Sequence, residues 1–161
     1  MPHDLRIFVA TSSGDVQTAT GCGAPCAYLF YHIAEGGGLT RSGLPASARG
    51  GIMGICGELP ATLDPVRLTN DVANECVRRG FAGVLLDLVP TPNAILLLPA
   101  VSAQFAKRNI PHFTPVELAP AVPQARVIVP SAVSGGDYRE LLSEYAGRFG
   151  RERVSLEIVR V

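Results

Sequence analysis

Two kinds of apolar pattern alternate along the chain, and their order predicts the fold. Residues 83–89 form a run that is apolar apart from a single acid, which is typical of a strand covered on both faces, as in parallel sheets. In residues 68–79, by contrast, apolar side chains recur at helical spacing. The glycine at position 80 fits the left-handed conformation that often follows a helix. This helix-to-strand order predicts parallel βαβ units.

The same two patterns extend over the rest of the chain. Residues 27–35 could form a helix, but their aromatic and β-branched content favours a strand, and the three glycines that follow favour a hairpin return. Thr69 or Asn70 is predicted to cap the first helix, and Pro99 to kink or restart the second. The predicted strands are 5–10, 27–35, 39–42, 51–57, 83–89, 112–117, 125–132 and 154–161, and the predicted helices are 68–79, 94–108 and 137–149.

Composition indicates a loop-rich globular protein: of 161 residues, 47% are hydrophobic, 17 are glycine and 13 are proline. The 14 basic and 14 acidic residues balance, so nothing indicates binding to nucleic acid or to an anionic membrane. The start has no basic region followed by a long apolar run, and no apolar run approaches a membrane span. We therefore expect a cytoplasmic protein with one domain over residues 1–161.

A cytoplasmic location implies that the four cysteines are thiols. Cys22 and Cys26 have three residues between them, which is not the usual spacing of a zinc knuckle, so neither a metal nor a cofactor is predicted. Cys56 and Cys76 are interpreted as small buried residues of a strand and a helix. His32 is interpreted as a packed or surface residue of its strand.

Asp87 is the main candidate for a functional residue, because it is the one charge in an otherwise dry strand. A buried acid is costly unless it is paired or functional, and chemistry in α/β folds collects at the carboxyl ends of parallel strands. The alternative is an acid satisfied by a neighbouring backbone or arginine. Glu58 follows the strand at 51–57 and is the second predicted catalytic residue, the alternative being a loop carboxylate. Glu117 and Glu157 are predicted to bind substrate.

The helix end and strand over 78–89 resemble the signature of glycoside hydrolase family 18, the chitinase-like (β/α)8 barrels. In that family the strand reads, in effect, Phe-Asp-Gly-Ile-Asp-Ile-Asp-Trp-Glu. Here the strand reads Phe81-Ala82-Gly83-Val84-Leu85-Leu86-Asp87-Leu88-Val89, so that Phe81, Gly83 and Asp87 match. Residues 129–140 also resemble a strand-to-helix turn of related barrel proteins, and the resemblance covers about half of the chain, from residue 74 to residue 161.

The departures from the family's strand bear on its chemistry. Aliphatic residues replace the first two acids, and Val89 replaces the catalytic glutamate. In the family that glutamate protonates the leaving oxygen, while the neighbouring aspartate, which Asp87 matches, orients the substrate's acetamido group for attack on the anomeric carbon. Valine can donate no proton, and a general acid contributes roughly 10²–10⁴-fold. The resemblance therefore implies loss of hydrolysis by this route, unless Glu58 or Glu117 supplies a relocated acid.

Length limits what the resemblance implies about the fold. A whole (β/α)8 barrel takes roughly 200 residues or more, and this chain has 161. We therefore predict an α/β fold of parallel strands alternating with helices, as a partial or half (β/α)8-type barrel with an added N-terminal hairpin. A piece of a longer protein with a missing C-terminal half, a half barrel completed by a second copy, and an open sheet all remain compatible. The apolar strand at 154–161 would be an open edge that invites pairing, so self-association is predicted.

Three functions are compatible with these features. The first is a non-catalytic glycosidase-like domain that binds carbohydrate or acts as a scaffold, which the missing acid favours and the lack of tryptophan disfavours. The second is an active glycoside hydrolase that uses Asp87 with a relocated acid. The third is a protein-interaction module without a small-molecule site. The first is the prediction that we adopt.

Overall fold

The computed structural model describes residues 7–11, 26–41, 50–130 and 138–160. In this part of the chain parallel strands alternate with helices, as predicted. The strands are β1 (Ile7–Thr11), β2 (Cys26–Ile33), β3 (Leu39–Arg41), β4 (Ile52–Gly57), β5 (Gly83–Leu88), β6 (His112–Pro115), β7 (Arg126–Pro130) and β8 (Val154–Arg160). The α-helices are α1 (Pro65–Arg79), α2 (Pro92–Lys107) and α3 (Tyr138–Phe149), and short 3-10 helices cover Glu35–Gly37, Val116–Ala121 and Arg151–Arg153.

One sheet joins the eight described strands in the order β1-β8-β7-β6-β5-β4-β2-β3. Neighbouring strands are parallel except for β2 and β3. In addition, β1 pairs in parallel with β2, through residues 9–11 and 26–28, so the pairings lead from β1 around the sheet and back to it. The sheet is therefore the mainly parallel one that the alternation of strand and helix predicts.

Two predictions about strands need correction. The hairpin exists, since β3 pairs antiparallel with residues 31–33 of β2, but β2 is not an addition to the parallel sheet because it pairs with both β1 and β4. Strand β8 is not an open edge, because it pairs with β7 on one side and with β1 on the other. An open edge therefore no longer supports self-association, which stays a prediction.

Helix α1 begins earlier than predicted, because Asp64 and Pro65 start it. The Asp64 carboxylate accepts hydrogen bonds from two backbone N–H groups of the first turn, at 3.0 and 3.4 Å, and proline suits this turn because its missing N–H would have no partner there. Capping by Thr69 or Asn70 is wrong: Thr69 is buried and donates its hydroxyl to the Pro65 carbonyl at 2.7 Å. Gly80 follows the helix at φ 73°, as predicted.

Helix α2 runs from Pro92 to Lys107 without a restart, although Pro99 lies inside it. Thr91 caps its start, accepting a backbone N–H of the first turn at 3.2 Å. Leu98 and Phe105 are fully buried on its inward side, and this packing outweighs the hydrogen bond that proline cannot donate. Neither α2 nor any other helix in the described residues is long and apolar enough to cross a membrane.

The sheet separates two apolar clusters. We call the face that packs against α1 and α2 the outer face and the opposite one the inner face. Along β5 the two alternate, since Val84, Leu86 and Leu88 belong to the outer cluster and Leu85 to the inner one. The inner cluster consists of Ala27, Leu29, Ile52, Leu85, Phe113 and Ile128, and Cys56 packs against it.

Candidate functional site at the carboxyl edge of the sheet

Asp87 is the next-to-last residue of β5 and lies on the inner side, because Leu86 and Leu88 on either side of it face the outer cluster. It is half-buried, and its Cα partner on β4 is Cys56. Residues in register on neighbouring strands point to the same face of a sheet. Asp87 and Cys56 are therefore side by side on the inner face, at the edge where β4 and β5 end.

A bulge in β2 decides which of its side chains reach this edge. Tyr28 pairs with Met53 and Tyr31 with Ile55, so two residues of β2 stand opposite one residue of β4, as in a β-bulge. That one residue is Gly54, where a Cβ would lie 2.8 Å from the Tyr28 carbonyl oxygen. A glycine inside a strand often marks close approach of another backbone, and Gly54 does so here.

The bulge reverses the alternation of β2, and His32 moves to the inner side as a result. Before the bulge, Ala27 belongs to the inner cluster; beyond it, Tyr31 and Ile33 belong to the outer cluster. The exposed His32 ring lies beside Cys56, with Sγ 3.8 Å from Nδ1 and 3.9 Å from Nε2. Interpreting His32 as a plain packed or surface residue is therefore incomplete, because its ring contacts a thiol.

The backbone of the bulge holds Cys56 from its other side. The Cys56 thiol donates toward the carbonyl oxygens of Tyr31 at 3.5 Å and of Leu29 at 3.8 Å. Gly57 comes next at φ 93°, and a Cβ there would stand 3.3 Å from His32 Nδ1, so glycine suits both the backbone and the ring. A carboxylate, a thiol and an imidazole thus lie at the ends of three neighbouring strands, β5, β4 and β2.

The other acids predicted for the site have different surroundings. Glu58 is exposed and directly follows β4, so it leaves the sheet at the same edge as Asp87. Glu117 does not lie in a strand, because β6 ends at Pro115 and Glu117 is exposed in the 3-10 helix that follows. The backbone of Glu157 pairs within β8, which β6 and β7 separate from β5; its side chain lies outside the described residues, as does Cys22. The strand register brings Asp87 next to Cys56, not next to Glu117 or Glu157.

The sequence contains a signal for Cys56 but none for His32. Counting in steps of two along β4 from Ile52 places Gly54 and Cys56 on the same face as that residue, so Cys56 belongs to the inner face by simple alternation. The same count along β2 from Leu29 would place Tyr31 on the inner face and His32 on the outer face, which is the reverse of what the structure shows. The bulge causes the reversal, and its presence depends on the facing strand.

A second polar cluster surrounds the buried His112 at the amino edge of the sheet. His112 Nε2 lies 2.7 Å from the Ser102 hydroxyl oxygen, and Nδ1 lies 3.0 Å from the Ile110 carbonyl oxygen. Because a carbonyl can only accept, Nδ1 carries the proton of the contact with Ile110. Gln124 Oε1 lies 2.9 Å from the same hydroxyl. Burial lowers the pKa of His112 below its ordinary value, and the hydrogen bond to Ile110 opposes that shift.

A cavity of about 320 Å³ lies beside this cluster, at the amino ends of β6 and β7. Its polar lining residues are Asn109, His112, Gln124 and Arg126, and its apolar ones are Ala106, Ile110, Pro111 and Phe113. Binding sites of parallel α/β folds lie at the opposite, carboxyl edge. We therefore assign the cavity to the packing around His112 and not to the candidate site.

Comparison with known proteins finds a likeness in fold. No protein-family model matches the chain, and no curated protein matches it. Among solved structures, the spore cortex-lytic enzyme SleL of Bacillus megaterium QM B1551 is similar, with a TM-score of 0.65 at 10% sequence identity over 95% of this chain and 50% of that one.

This likeness concerns the fold. At 10% identity it speaks for a shared path of the chain and not for shared residues. The chain also spans only about half the length of the SleL chain, so the activity of the whole enzyme is not carried over. The comparison supports the α/β architecture, and membership of glycoside hydrolase family 18 stays a prediction.

Proposed function

We propose that this chain is a glycoside-hydrolase-like domain that binds a carbohydrate at the carboxyl edge of its sheet without hydrolysing it. One observation carries the proposal: Asp87 lies on the inner face at that edge, while Val89, two residues further on, is 46% exposed and has no proton to donate. The carboxylate that would orient a ligand is kept, and the acid that would cleave it is missing.

The sheet supports a barrel-type architecture for this site. Parallel pairings run from β1 through β2 and β4 to β8 and return to β1, and we interpret these seven described strands as a small closed barrel, with β3 outside the ring. In such folds the loops after the strands form the ligand site at the carboxyl face. The similar fold of a spore cortex-lytic enzyme adds spore cortex fragments to the ligands to be tested.

The chemistry of the edge favours weak, polar recognition. A carboxylate such as Asp87 accepts hydrogen bonds from sugar hydroxyl and amide groups, and a hydrogen bond to a charged group contributes about 1.5–3 kcal/mol. Tyr28, Tyr31 and Phe113 are buried in the two apolar clusters, so they offer no ring surface to a sugar. We therefore expect affinity to depend on Asp87 more than on stacking.

Isothermal titration calorimetry with chito-oligosaccharides tests this proposal. The wild-type protein is expected to bind, and Asp87→Asn to weaken binding about tenfold or more, because the charged hydrogen bonds are lost. Glu152→Gln is a matched control, because it removes one negative charge from an exposed position just before β8, at the amino edge, and is expected to leave binding unchanged. No heat with any glycan, or equal binding by the Asp87→Asn variant, would refute the proposal.

Hydrolysis with a relocated acid is the second candidate, and one contact favours it. Backbone pairing continues past the strand ends, since the Val89 N–H donates to the Gly57 carbonyl at 2.9 Å, so Glu58 and Val89 leave the sheet next to each other. Turnover of an aryl glycoside that Glu58→Gln and Asp87→Asn each abolish would replace the binding proposal. Absence of turnover in the wild-type protein would dismiss this candidate.

A further inference from the structure

The carboxyl edge carries two side chains that sugar binding by Asp87 does not require: the thiol of Cys56 and the imidazole of His32. They lie in contact, at 3.8 and 3.9 Å from Sγ to the two ring nitrogens. We propose that Cys56 is a nucleophilic thiol, with His32 as its proton acceptor, that accepts the acyl group of an ester or thioester. This site is independent of carbohydrate binding, since its activity is read from covalent acylation.

The geometry meets the requirements of a cysteine nucleophile. Such a thiol needs a base within reach and access for the electrophile. The neutral His32 ring has one unprotonated nitrogen that can serve as the base, and Nδ1 and Nε2 lie 3.8 and 3.9 Å from the sulfur. Cys56 is half-buried and His32 is exposed, so an acyl donor can approach from the solvent side while the inner cluster supports the sulfur from below.

The surrounding groups favour a neutral thiol at rest and proton transfer during attack. The carbonyl oxygens of Tyr31 and Leu29 lie 3.5 and 3.8 Å from the sulfur, and donation of the single S–H to either one stabilises the S–H form. Asp87 is the register neighbour of Cys56, and a carboxylate beside a thiol disfavours the thiolate. The arrangement therefore suits a general base that removes the proton as the new bond forms.

The reaction with an ester balances without an outside reagent. As Cys56 Sγ bonds to the carbonyl carbon, its proton passes to His32. The carbon–oxygen bond to the alcohol then breaks, and the leaving alkoxide takes the proton from His32, which gives an acyl-thioester on Cys56. Water can release the acyl group by bonding to the carbonyl carbon; the sulfur–carbon bond breaks and the sulfur regains a proton.

Among the cysteines that the structure describes, Cys76 is the other half-buried one, and it provides an internal control. Burial, together with the nearby charge of Glu75, raises the pKa of Cys76 to about 11, which keeps this thiol protonated and slow. Cys26 is only 5% exposed and is shielded from reagents. A faster reaction at Cys56 than at Cys76 in the same protein sample therefore reports the effect of the groups around Cys56.

Acylation by p-nitrophenyl acetate, followed by mass mapping of each cysteine, tests the proposal. Cys56 in the wild-type protein is expected to be acetylated at least about tenfold faster than Cys76, because His32 can accept the Cys56 proton while the sulfur attacks. His32→Gln keeps a polar side chain of similar size but removes the base, and is expected to slow acetylation of Cys56 about tenfold or more while leaving Cys76 unchanged. Cys56→Ser is expected to abolish the acetyl-thioester.

Two results would overturn this inference. Equal acetylation of Cys56 and Cys76 in the wild-type protein would show that the Cys56 thiol is not activated. This measurement uses the wild-type protein alone, so it does not depend on the folding of a variant. An unchanged Cys56 rate in the His32→Gln protein would show that the ring is not its proton acceptor. Glycan binding by the wild-type protein and by Asp87→Asn decides the separate question of carbohydrate recognition, so the two proposals can fail independently.

Discussion

His32 and His112 lie at opposite edges of the same sheet, and their surroundings differ in almost every respect. His112 is 5% exposed, and both of its ring nitrogens have partners, the Ser102 hydroxyl and the Ile110 carbonyl. His32 is exposed and lies beside the Cys56 thiol at a longer distance. A buried ring with two short hydrogen bonds stabilises the fold, whereas an exposed ring beside a thiol remains available for chemistry.

Removal of the buried ring should have the largest effect. His112→Ala is expected to lower the free energy of unfolding by about 2–4 kcal/mol, because it leaves buried polar groups unpaired and opens a cavity beside Phe105, whose ring packs edge-on to the imidazole. Denaturant unfolding measures this loss. Val77→Ala is the control, since Val77 is 85% exposed and its truncation should change stability by less than about 0.5 kcal/mol. A similarly small loss for His112→Ala would contradict a stabilising role for the ring.

Adding a methyl group at Gly54 should have the next largest effect on stability, because the methyl group would collide with the β2 bulge that brings His32 to the carboxyl edge. A Cβ at Gly54 would lie 2.5 Å from Leu29 Cδ2 and 2.8 Å from the Tyr28 carbonyl oxygen, and such overpacking costs about 1–3 kcal/mol. Gly147→Ala is the matched control: a Cβ there has no neighbour within 4 Å in α3, and alanine in a helix should stabilise by up to about 1 kcal/mol.

Thermal unfolding of both glycine variants, with cysteine mapping of each, checks this expectation. Gly54→Ala should also slow acetylation of Cys56, since a shifted bulge moves His32 away from the sulfur. If both variants are as stable as the wild-type protein, the contact between β2 and β4 is looser than the structure indicates.

Much of the carboxyl edge could be predicted from sequence because it follows simple alternation. The position of Asp87 follows from its place between Leu86 and Leu88 in a strand covered on both faces, and the end of α1 follows from Gly80. These features depend on neighbours in the chain. The start of α1 also had a local signal, since Asp64 directly before Pro65 is a frequent helix start. The prediction used Thr69 and Asn70 as capping residues instead, and so placed the start of the helix too far along the chain.

The contact between His32 and Cys56 could not be predicted, because it depends on two strands at once. The bulge at residues 29–30 exists only opposite Gly54, and no count along β2 alone reveals a skipped partner. The two neighbours of β8 are likewise a property of the whole sheet, which is why an apolar final strand was mistaken for an open edge.

The stability of the protein should also depend on pH through the buried ring. The pKa of His112 is lowered in the folded state, so the unfolded chain binds the proton more readily. The contribution of His112 to the free energy of unfolding is therefore fully present above its unfolded-state pKa of about 6.5. It falls as the pH drops toward the folded-state pKa, by at most about 1.4 kcal/mol per pH unit. Unfolding in denaturant between about pH 5.5 and 7.5 measures the slope. His112→Asn should flatten this slope, and an unchanged slope in that variant would assign it to other groups.

The smallest change in stability is expected for His32→Gln, and the size of that change decides whether the comparison between the two edges holds. The His32 ring is exposed, and its contact with the thiol at 3.8 Å is long and weak, so the free energy of unfolding should change by less than about 0.5 kcal/mol. The same substitution should slow acetylation of Cys56, because the base is gone while the fold is intact. A loss of stability as large as that of His112→Ala would place both rings among the groups that hold the sheet together, and slower acetylation would then report a disturbed fold instead of a missing proton acceptor.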